Sequence, residues 1–363
     1  MKKFDVLVIG AGPAGSALAT RLAGAGRAVA VLEKSAFPRA KVCGEFIAPP
    51  GVRQLEQLGV ALPAGEPVDR IALWAGGLRI DAPLAPARAL AREVLDALVL
   101  ERAVSAGAVL YQPARALAVT RTGEGFIVQA SDGELEAHAV VAAHGSWEPG
   151  PLPTQCVRPR PAASDVFGFK AHFTRHRLPA RTIGLVPFAG GYAGAVALSG
   201  AAATFACSVR RDALRALRRR HGGVCAGEAV FQHVVDTSVA VHEAFAAAAR
   251  DGPWLAVGPL RPGVRRLVRD GIFAVGNAAG EVHPIVGEGI TLALESASAL
   301  ASALQCRPME AAREYQRRYS PVLRRRLWRS TLLASVASNP ALAACVREPL
   351  RRMPSLLALA ARA

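Results

Sequence analysis

Phe4-Asp5-Val6-Leu7-Val8-Ile9-Gly10-Ala11-Gly12-Pro13-Ala14-Gly15 decides the fold, together with Glu33, which closes the next apolar run 18 residues after Gly15. Phe4 to Ile9 is short and rich in β-branched residues, the pattern of a buried strand. Ala14 to Ala25 reads as a helix with small residues on one face, and Ala28 to Leu32 as a second buried strand. Gly-x-Gly-x-x-Gly alone is a weak signal. Between a strand and a helix, with an acid ending the second strand, it is the signature of a bound dinucleotide. Gly10 permits the tight turn, Gly12 lets the backbone approach a diphosphate, and Gly15 lets helix and sheet pack closely. Pro13 and Ala14 open the helix, whose unpaired N–H groups attract the phosphates. Glu33 is placed to accept both adenosine ribose hydroxyls, with Lys34 beside it, and a carboxylate there repels the 2′-phosphate of NADP.

The surrounding chain has the means to bury such a core. It has 363 residues, 52% hydrophobic and 20% charged, enough for two domains or one interleaved one. The net charge is +16, yet only Lys2, Lys3, Lys34, Lys41 and Lys170 are lysines. The remaining basic residues are arginines without the aromatic interleaving of a nucleic-acid platform, so no nucleic-acid partner is expected. Cys43, Cys156, Cys207, Cys225, Cys306 and Cys345 form no C-x-x-C pair, which fits a reducing compartment rather than a zinc or disulfide scaffold. The apolar run after Met1-Lys2-Lys3 is too short for a signal peptide. No uncharged apolar stretch of about 18 residues occurs. A cytoplasmic protein is expected.

Farther along, Gly51 to Leu58 reads as a short helix, Leu73 to Ile80 as a hairpin through Gly76-Gly77, and Arg88 to Ala106 as a helix capped by Gly107. Val109 to Tyr111, Ala116 to Thr120, Phe126 to Ala130 and Ala139 to Ala143 continue as strands. From Pro151 to Pro259 the pattern changes. Val166 to Phe173, Thr182 to Pro187, Tyr192 to Leu198 and Thr204 to Val209 are successive strands with glycine turns, followed by helices at Arg211 to Arg220 and Gly227 to Phe231. This segment reads as an inserted antiparallel-sheet domain. Ile272 to Val275 returns to a buried strand, and Ile290 to Leu304 is a helix. The tail from Glu310 is helical and expected to break at Pro321, Pro340, Pro349 and Pro354.

FAD and NAD share the first motif. The second glycine loop separates them: Val275-Gly276-Asn277-Ala278-Ala279-Gly280-Glu281-Val282-His283-Pro284-Ile285-Val286-Gly287-Glu288-Gly289-Ile290. With it, the chain resembles the flavoprotein family of aromatic-ring hydroxylases, geranylgeranyl reductases and flavin-dependent halogenases, over most of residues 1 to 310. That family typically carries G-D-A-A here, then P-x-x-G-x-G. The resemblance implies that Gly276 and Asn277 contact the ribitol–diphosphate region of FAD, Asn277 replacing the family's aspartate. It implies that Pro284, Gly287, Glu288, Gly289 and Ile290 lie against the flavin ring. Pro38-Arg39-Ala40-Lys41-Val42-Cys43-Gly44-Glu45 resembles the loop of the reductase and halogenase branch in which a Cys-Gly pair lies near the flavin. Arg39, Lys41, Cys43, Gly44 and, on the next helix, Arg92 are accordingly carried over as FAD contacts. Cys43 is the one candidate for a catalytic role. The hydroxylase A-D-G-x-x-S motif is altered to Ala143-His144-Gly145-Ser146-Trp147. The halogenase W-x-W-x-I-P motif is missing, with no matching catalytic lysine evident.

His172 and His176 have i, i+4 spacing in a strand-like segment with no third ligand, so no metal is expected there. The fold implied is an α/β, Rossmann-like FAD-binding domain (1–150 and 260–309), interleaved with an antiparallel-sheet substrate domain (151–259), plus a helical tail (310–363). The expected activity is that of an FAD-dependent monooxygenase on an aromatic or other apolar small molecule, with NAD(P)H as a transient electron donor. Phe167, Phe169, Phe188, Tyr192 and Phe205 are the candidate pocket walls. A geranylgeranyl-reductase-like reduction of isoprenoid double bonds is the alternative, and a non-catalytic flavin-binding protein the third reading. The tail mixes Arg313, Arg317, Arg318, Arg324, Arg325, Arg326 and Arg329 with Leu323, Leu327, Trp328, Leu332 and Leu333. Peripheral contact with the inner face of a membrane is therefore a second expectation.

Overall fold

The computed structural model describes residues 2–63, 65–146, 150, 152–155, 160–306 and 308–361. Trp147 and Cys156, named above, lie outside them.

The first sheet grows from the fully buried run Val6–Ile9. Strand Lys2–Ile9 lies between Val29–Leu32 and Gly133–Ala142, parallel to both, and Ile272–Ala274 continues beyond Gly133–Ala142. Ile9 is level with Leu32 and Ala142, and Ala142 with Ala274. Four strands therefore end on one edge, where Gly10, Glu33, Ala143 and Val275-Gly276 follow. Ligands of open parallel sheets bind outside this carboxyl edge. Helix Pro13–Gly24 packs between helices Gly289–Ala303 and Arg92–Ser105 over one sheet face. A Cβ on Gly15 would stand 1.9 Å from the Gly10 carbonyl oxygen, so no other residue fits that contact.

The second sheet has eight strands in the order Ala249–Leu260, Val166–Thr174, Ala203–Arg210, Gly191–Ala197, Thr182–Phe188, Glu66–Ala75, Leu78–Ala89, Phe46–Ile47. All neighbours are antiparallel except Thr182–Phe188 and Glu66–Ala75. The hairpin at Gly76-Gly77 is thus much longer than its sequence pattern indicates, and it joins the substrate sheet. Its second strand runs to Ala89, so the following helix begins at Arg92 rather than Arg88. Helices Arg211–Arg220, Ala226–Thr237 and Val239–Phe245 cover one face of this sheet, over a core of Phe169, Phe173, Phe188 and Phe205.

The tail forms helices Pro308–Ser338, Pro340–Arg352 and Ser355–Ala361. Pro321 and Pro349 lie inside helices instead of ending them. Buried Tyr315, Tyr319 and Leu323 flank Pro321 and pin the helix on both sides of the missing N–H. The Tyr315 hydroxyl donates to the Ala274 carbonyl at 2.8 Å and that of Tyr319 to Leu292 at 3.2 Å. Tertiary packing here outweighs proline's helix-breaking cost, about 3 kcal/mol.

Candidate functional site

One cavity of about 920 Å³ runs from the carboxyl edge of the first sheet across the open face of the second. That is the upper end of the range for small-molecule sites. Of the residues singled out from sequence, Gly10, Gly12, Pro13, Ala14, Glu33, Lys34, Arg39, Lys41, Cys43, Gly44, Arg92, Gly276, Asn277, Pro284, Gly287, Gly289 and Ile290 all line it. Gly15 and Glu288 do not. Gly15 packs behind the turn. Glu288 is buried beside Arg326, 3.9 Å away, on the side of the tail helix, and burial raises its pKa.

The adenosine end fits a dinucleotide closely. Gly10 has φ +110°, and a Cβ there would stand 2.6 Å from the Ala143 carbonyl oxygen. Among the described residues, a Cβ on Gly12 would meet no atom within 4 Å, which leaves space in front of it for a diphosphate. Glu33 is held at the rim by the Ala11 N–H on one carboxylate oxygen and the Ser35 N–H on the other, each 2.9 Å. Arg39 adds a 3.2 Å contact. Each oxygen keeps lone-pair capacity for a ribose hydroxyl. Lys34, Arg39, Lys41, Arg92 and Arg115 make this half of the lining strongly basic. Burial, and then the Arg39 charge, pulls Lys41 down to about 8, the behaviour of a site that awaits an anion. The residues present therefore fit FAD. They would hold its diphosphate on Gly10 to Ala14 and the basic cluster, and its ribose on Glu33.

The positions that replace family aspartates are both engaged. The Asn277 side-chain amide donates to Glu281 at 3.3 Å, and the Asn277 backbone carbonyl accepts from Arg265 at 2.7 Å. His144 bonds the Gly145 carbonyl through Nδ1 and the Thr154 hydroxyl through Nε2, each at 2.8 Å. Only Nδ1–H can serve a carbonyl, so Nε2 accepts from Thr154. Burial holds this ring down at about 4, so it is neutral at pH 7.

Glu45, which sequence reasoning quoted but assigned no role, is a hub. It has φ +56° and is fully buried. Its carboxylate accepts from the buried Lys170 ammonium, the Thr204 hydroxyl, His172 Nε2 at 2.7 Å and the Arg92 N–H at 2.9 Å. Its own N–H points to Cys43 Sγ at 3.3 Å. Burial would raise its pKa, but the His172 bond, the Lys170 charge and Thr204 outweigh that and hold it at about 2. His172 is thus tied to Glu45, while His176 bonds backbone at Ala202 and Leu178. Arg92 pairs with Asp96 through two bonds of 2.7 and 2.8 Å. Burial opposes its charge, but Asp96 and the adjacent Cys43 keep its pKa well above the ordinary value.

Beyond the loop, the lining turns apolar. Ile71, Leu73, Ile183, Leu185, Tyr192, Gly194 and Ala206 project from the open sheet face. A Cβ on Gly194 would meet only the Gly184 oxygen, at 3.6 Å, so this glycine leaves the floor low. Leu333, Val336, Val346, Leu350 and Leu357 of the tail form the roof. The aromatic walls expected from sequence are corrected here. Phe167, Phe188 and Phe205 pack on the opposite face with the helices, because strand alternation sends them there. Phe169 belongs to that core and only borders the cavity, while Tyr192 lines it.

A Rossmann-type carboxyl edge joined to a roofed antiparallel sheet is the architecture of an FAD-dependent oxidoreductase. Residues 3–149 match the family model of the FAD binding domain. The chain is 30% identical to digeranylgeranylglycerophospholipid reductase 2 of Methanopyrus kandleri over 322 residues, covering 80% of this chain and 74% of that protein. It is 35% identical to menaquinone reductase of Mycobacterium tuberculosis over 156 residues, but that match spans 40% of this chain and only 38% of the relative. Its fold matches the probable FAD-dependent monooxygenase PqsL from Pseudomonas aeruginosa with a TM-score of 0.72 at 24% identity, over 96% of this chain and 100% of that one. The chain belongs to the FAD-dependent oxidoreductase family that includes the geranylgeranyl reductases, and FAD is its cofactor.

Proposed function

We propose that this protein is an FAD-dependent monooxygenase that inserts one atom of O₂ into an apolar molecule. The observation that carries the reading is the two-part cavity. Among the described lining residues, the charged ones, Glu33, Lys34, Arg39, Lys41, Arg92, Arg115 and Glu281, all belong to the FAD half. The half between the open sheet and the tail is lined mainly by aliphatic and small residues, with Tyr192 at its floor, and selects for an apolar substrate. Bound FAD supplies the redox chemistry. The chain orients the substrate along the sheet, and the tail roof keeps water out. The full-length likeness to PqsL supports oxygen insertion. NAD(P)H is the proposed electron donor, binding transiently, since only one dinucleotide fingerprint occurs in the chain.

A second reading, reduction of a carbon–carbon double bond, is favoured by the 30% identity to the archaeal reductase. Such a reduction consumes a proton as well as a hydride. Tyr192 is the phenol at the cavity floor and carries its proton at pH 7, so it is the candidate donor, although burial raises its pKa and weakens it as an acid. NAD(P)H oxidation with candidate apolar substrates, followed with and without oxygen, tests the proposal. Substrate-dependent turnover that requires O₂ and leaves an oxygenated product is the expected result. Turnover that persists without O₂ and yields a product two hydrogens heavier overturns it in favour of reduction.

A further inference from the structure

The tail helices carry apolar side chains on two faces, which roofing a cavity does not explain. Twelve large hydrophobic residues are exposed among the described residues, and six of them, Val322, Trp328, Leu332, Leu342, Met353 and Leu359, belong to the tail. Trp328 is 68% exposed, Leu359 59% and Met353 56%. On helix Pro308–Ser338 the exposed positions Arg325, Trp328, Leu332 and Ser335 recur at spacings of three and four, forming one outward stripe. On helix Pro340–Arg352, exposed Leu342, Cys345, Pro349 and Arg352 do the same. From residue 321 onward the sequence holds eight arginines and one acid, Glu348, for a net charge of +7. No helix of the described residues is long and apolar enough to cross a bilayer.

We infer that the outer face of the tail docks on an anionic lipid bilayer, lying in its headgroup layer. An exposed tryptophan with leucines and methionine, set among arginines, is what an interfacial surface requires. The apolar side chains enter the acyl boundary while the guanidiniums meet lipid phosphates. Leu332 joins this face to the cavity, since it lines the chamber and is also half exposed. A substrate dissolved in the bilayer therefore reaches the chamber between the tail helices without crossing water. This extends the proposed function, because it rests on the chamber being the substrate site.

The test needs no turnover. The purified holoprotein is mixed with vesicles of phosphatidylcholine alone, or containing about one-third phosphatidylglycerol, and bound protein is measured by flotation. Binding at least tenfold stronger to the anionic vesicles, falling at least tenfold in about 0.5 M salt, is expected. Trp328→Ser with Met353→Ser, neither of which lines the cavity, is expected to lose at least tenfold in binding with flavin content unchanged. Binding absent from both vesicle types, or unaffected by the double substitution, overturns the inference. So does a dimer on size exclusion that becomes monomeric with the same substitutions, because the face would then be covered by a second copy. If oxidoreductase activity is never found, the flotation result still decides the docking.

Discussion

The Glu45 hub offers the sharpest quantitative test, because a buried carboxylate and a buried ammonium cannot be separated without cost. Glu45→Gln keeps the shape and leaves Lys170, only 1% exposed, with the more distant Glu93 carboxylate at 3.9 Å as its counter-charge. Breaking a buried pair from one side costs about 3–5 kcal/mol. The titration argument gives a similar size. A carboxylate held at about 2 instead of 4.5 contributes about 3 kcal/mol. For 363 residues, with an unfolding entropy near 2.1 cal/mol/K per residue, a loss of that size lowers Tm by about 5 °C. Because the folded pKa is depressed, this stability is present above pH 4.5 and fades as pH falls toward 2. The wild type should therefore lose stability in that window, and Glu45→Gln should lose correspondingly less. Thermal denaturation of both holoproteins between pH 7 and the acid limit of solubility measures this. Glu45→Gln combined with Lys170→Met should recover most of the loss, since no buried ammonium is then left short of a counter-charge, and the introduced amide can still bond Thr204, His172 and the Arg92 N–H. A Glu45→Gln Tm within about 1 °C of wild type, or a double variant no more stable than the single one, refutes the assignment.

Three further outcomes follow from the cavity. Gly12→Val should fold with nearly wild-type Tm yet purify without the yellow of bound FAD, because its side chain has room in the protein but fills the diphosphate path; Gly10→Ala should instead lose stability through its φ of +110° and its contact with Ala143. The dissociation constant of FAD should rise as pH passes about 8, by roughly tenfold for one lost charge-assisted contact, and Lys41→Met should abolish that bend in a fluorescence titration. Gly194→Leu should retain FAD and fold, but lower kcat/KM for the larger substrates at least about tenfold by raising the chamber floor; unchanged selectivity would place the substrate elsewhere.

Both glycine loops were legible because their requirements are local. A strand end, a turn with positive φ and a helix start lie in a dozen contiguous residues, and Glu33 follows at a distance the crossover fixes. Glu45 was not legible, since its partners Lys170 and Thr204 lie 125 and 159 residues away and no periodicity links them. Strand Ala249–Leu260 escaped notice because its exposure does not alternate. It contains Asp251-Gly252-Pro253, which reads as a turn, and is held at the sheet edge by pairing with Val166–Thr174. Of the expected aromatic walls, Tyr192 lines the cavity and Phe169 borders it, while Phe167, Phe188 and Phe205 were misplaced by one register step. Gly168 and Ala206 line the cavity, and their neighbours Phe167 and Phe205 pack with the helices, an inversion that follows from period-two alternation. The tail's role as roof was hidden because its apolar residues serve two faces, so no single amphipathic stripe stands out.

The placement of the hub explains why its charges are buried at all. Glu45 sits where the loop after Glu33 crosses from the first sheet into the second, and its four partners come from three elements: Arg92 from a helix start, Lys170 and His172 from one strand, Thr204 from the next. A cluster of leucines would bury as much area, yet it would tolerate sliding, since dispersion contacts have no preferred register. Charge-assisted bonds with fixed donors do not tolerate it. The seam between an FAD crevice and an apolar chamber is where a shift of one ångström most damages the alignment of two reactants. On this reasoning the ion pair's value lies in fixing Cys43-Gly44 and Arg92 against the cofactor. Lys170→Met with Glu45→Gln would then restore Tm without restoring FAD affinity, and recovery of both together would reduce the hub to a packing device.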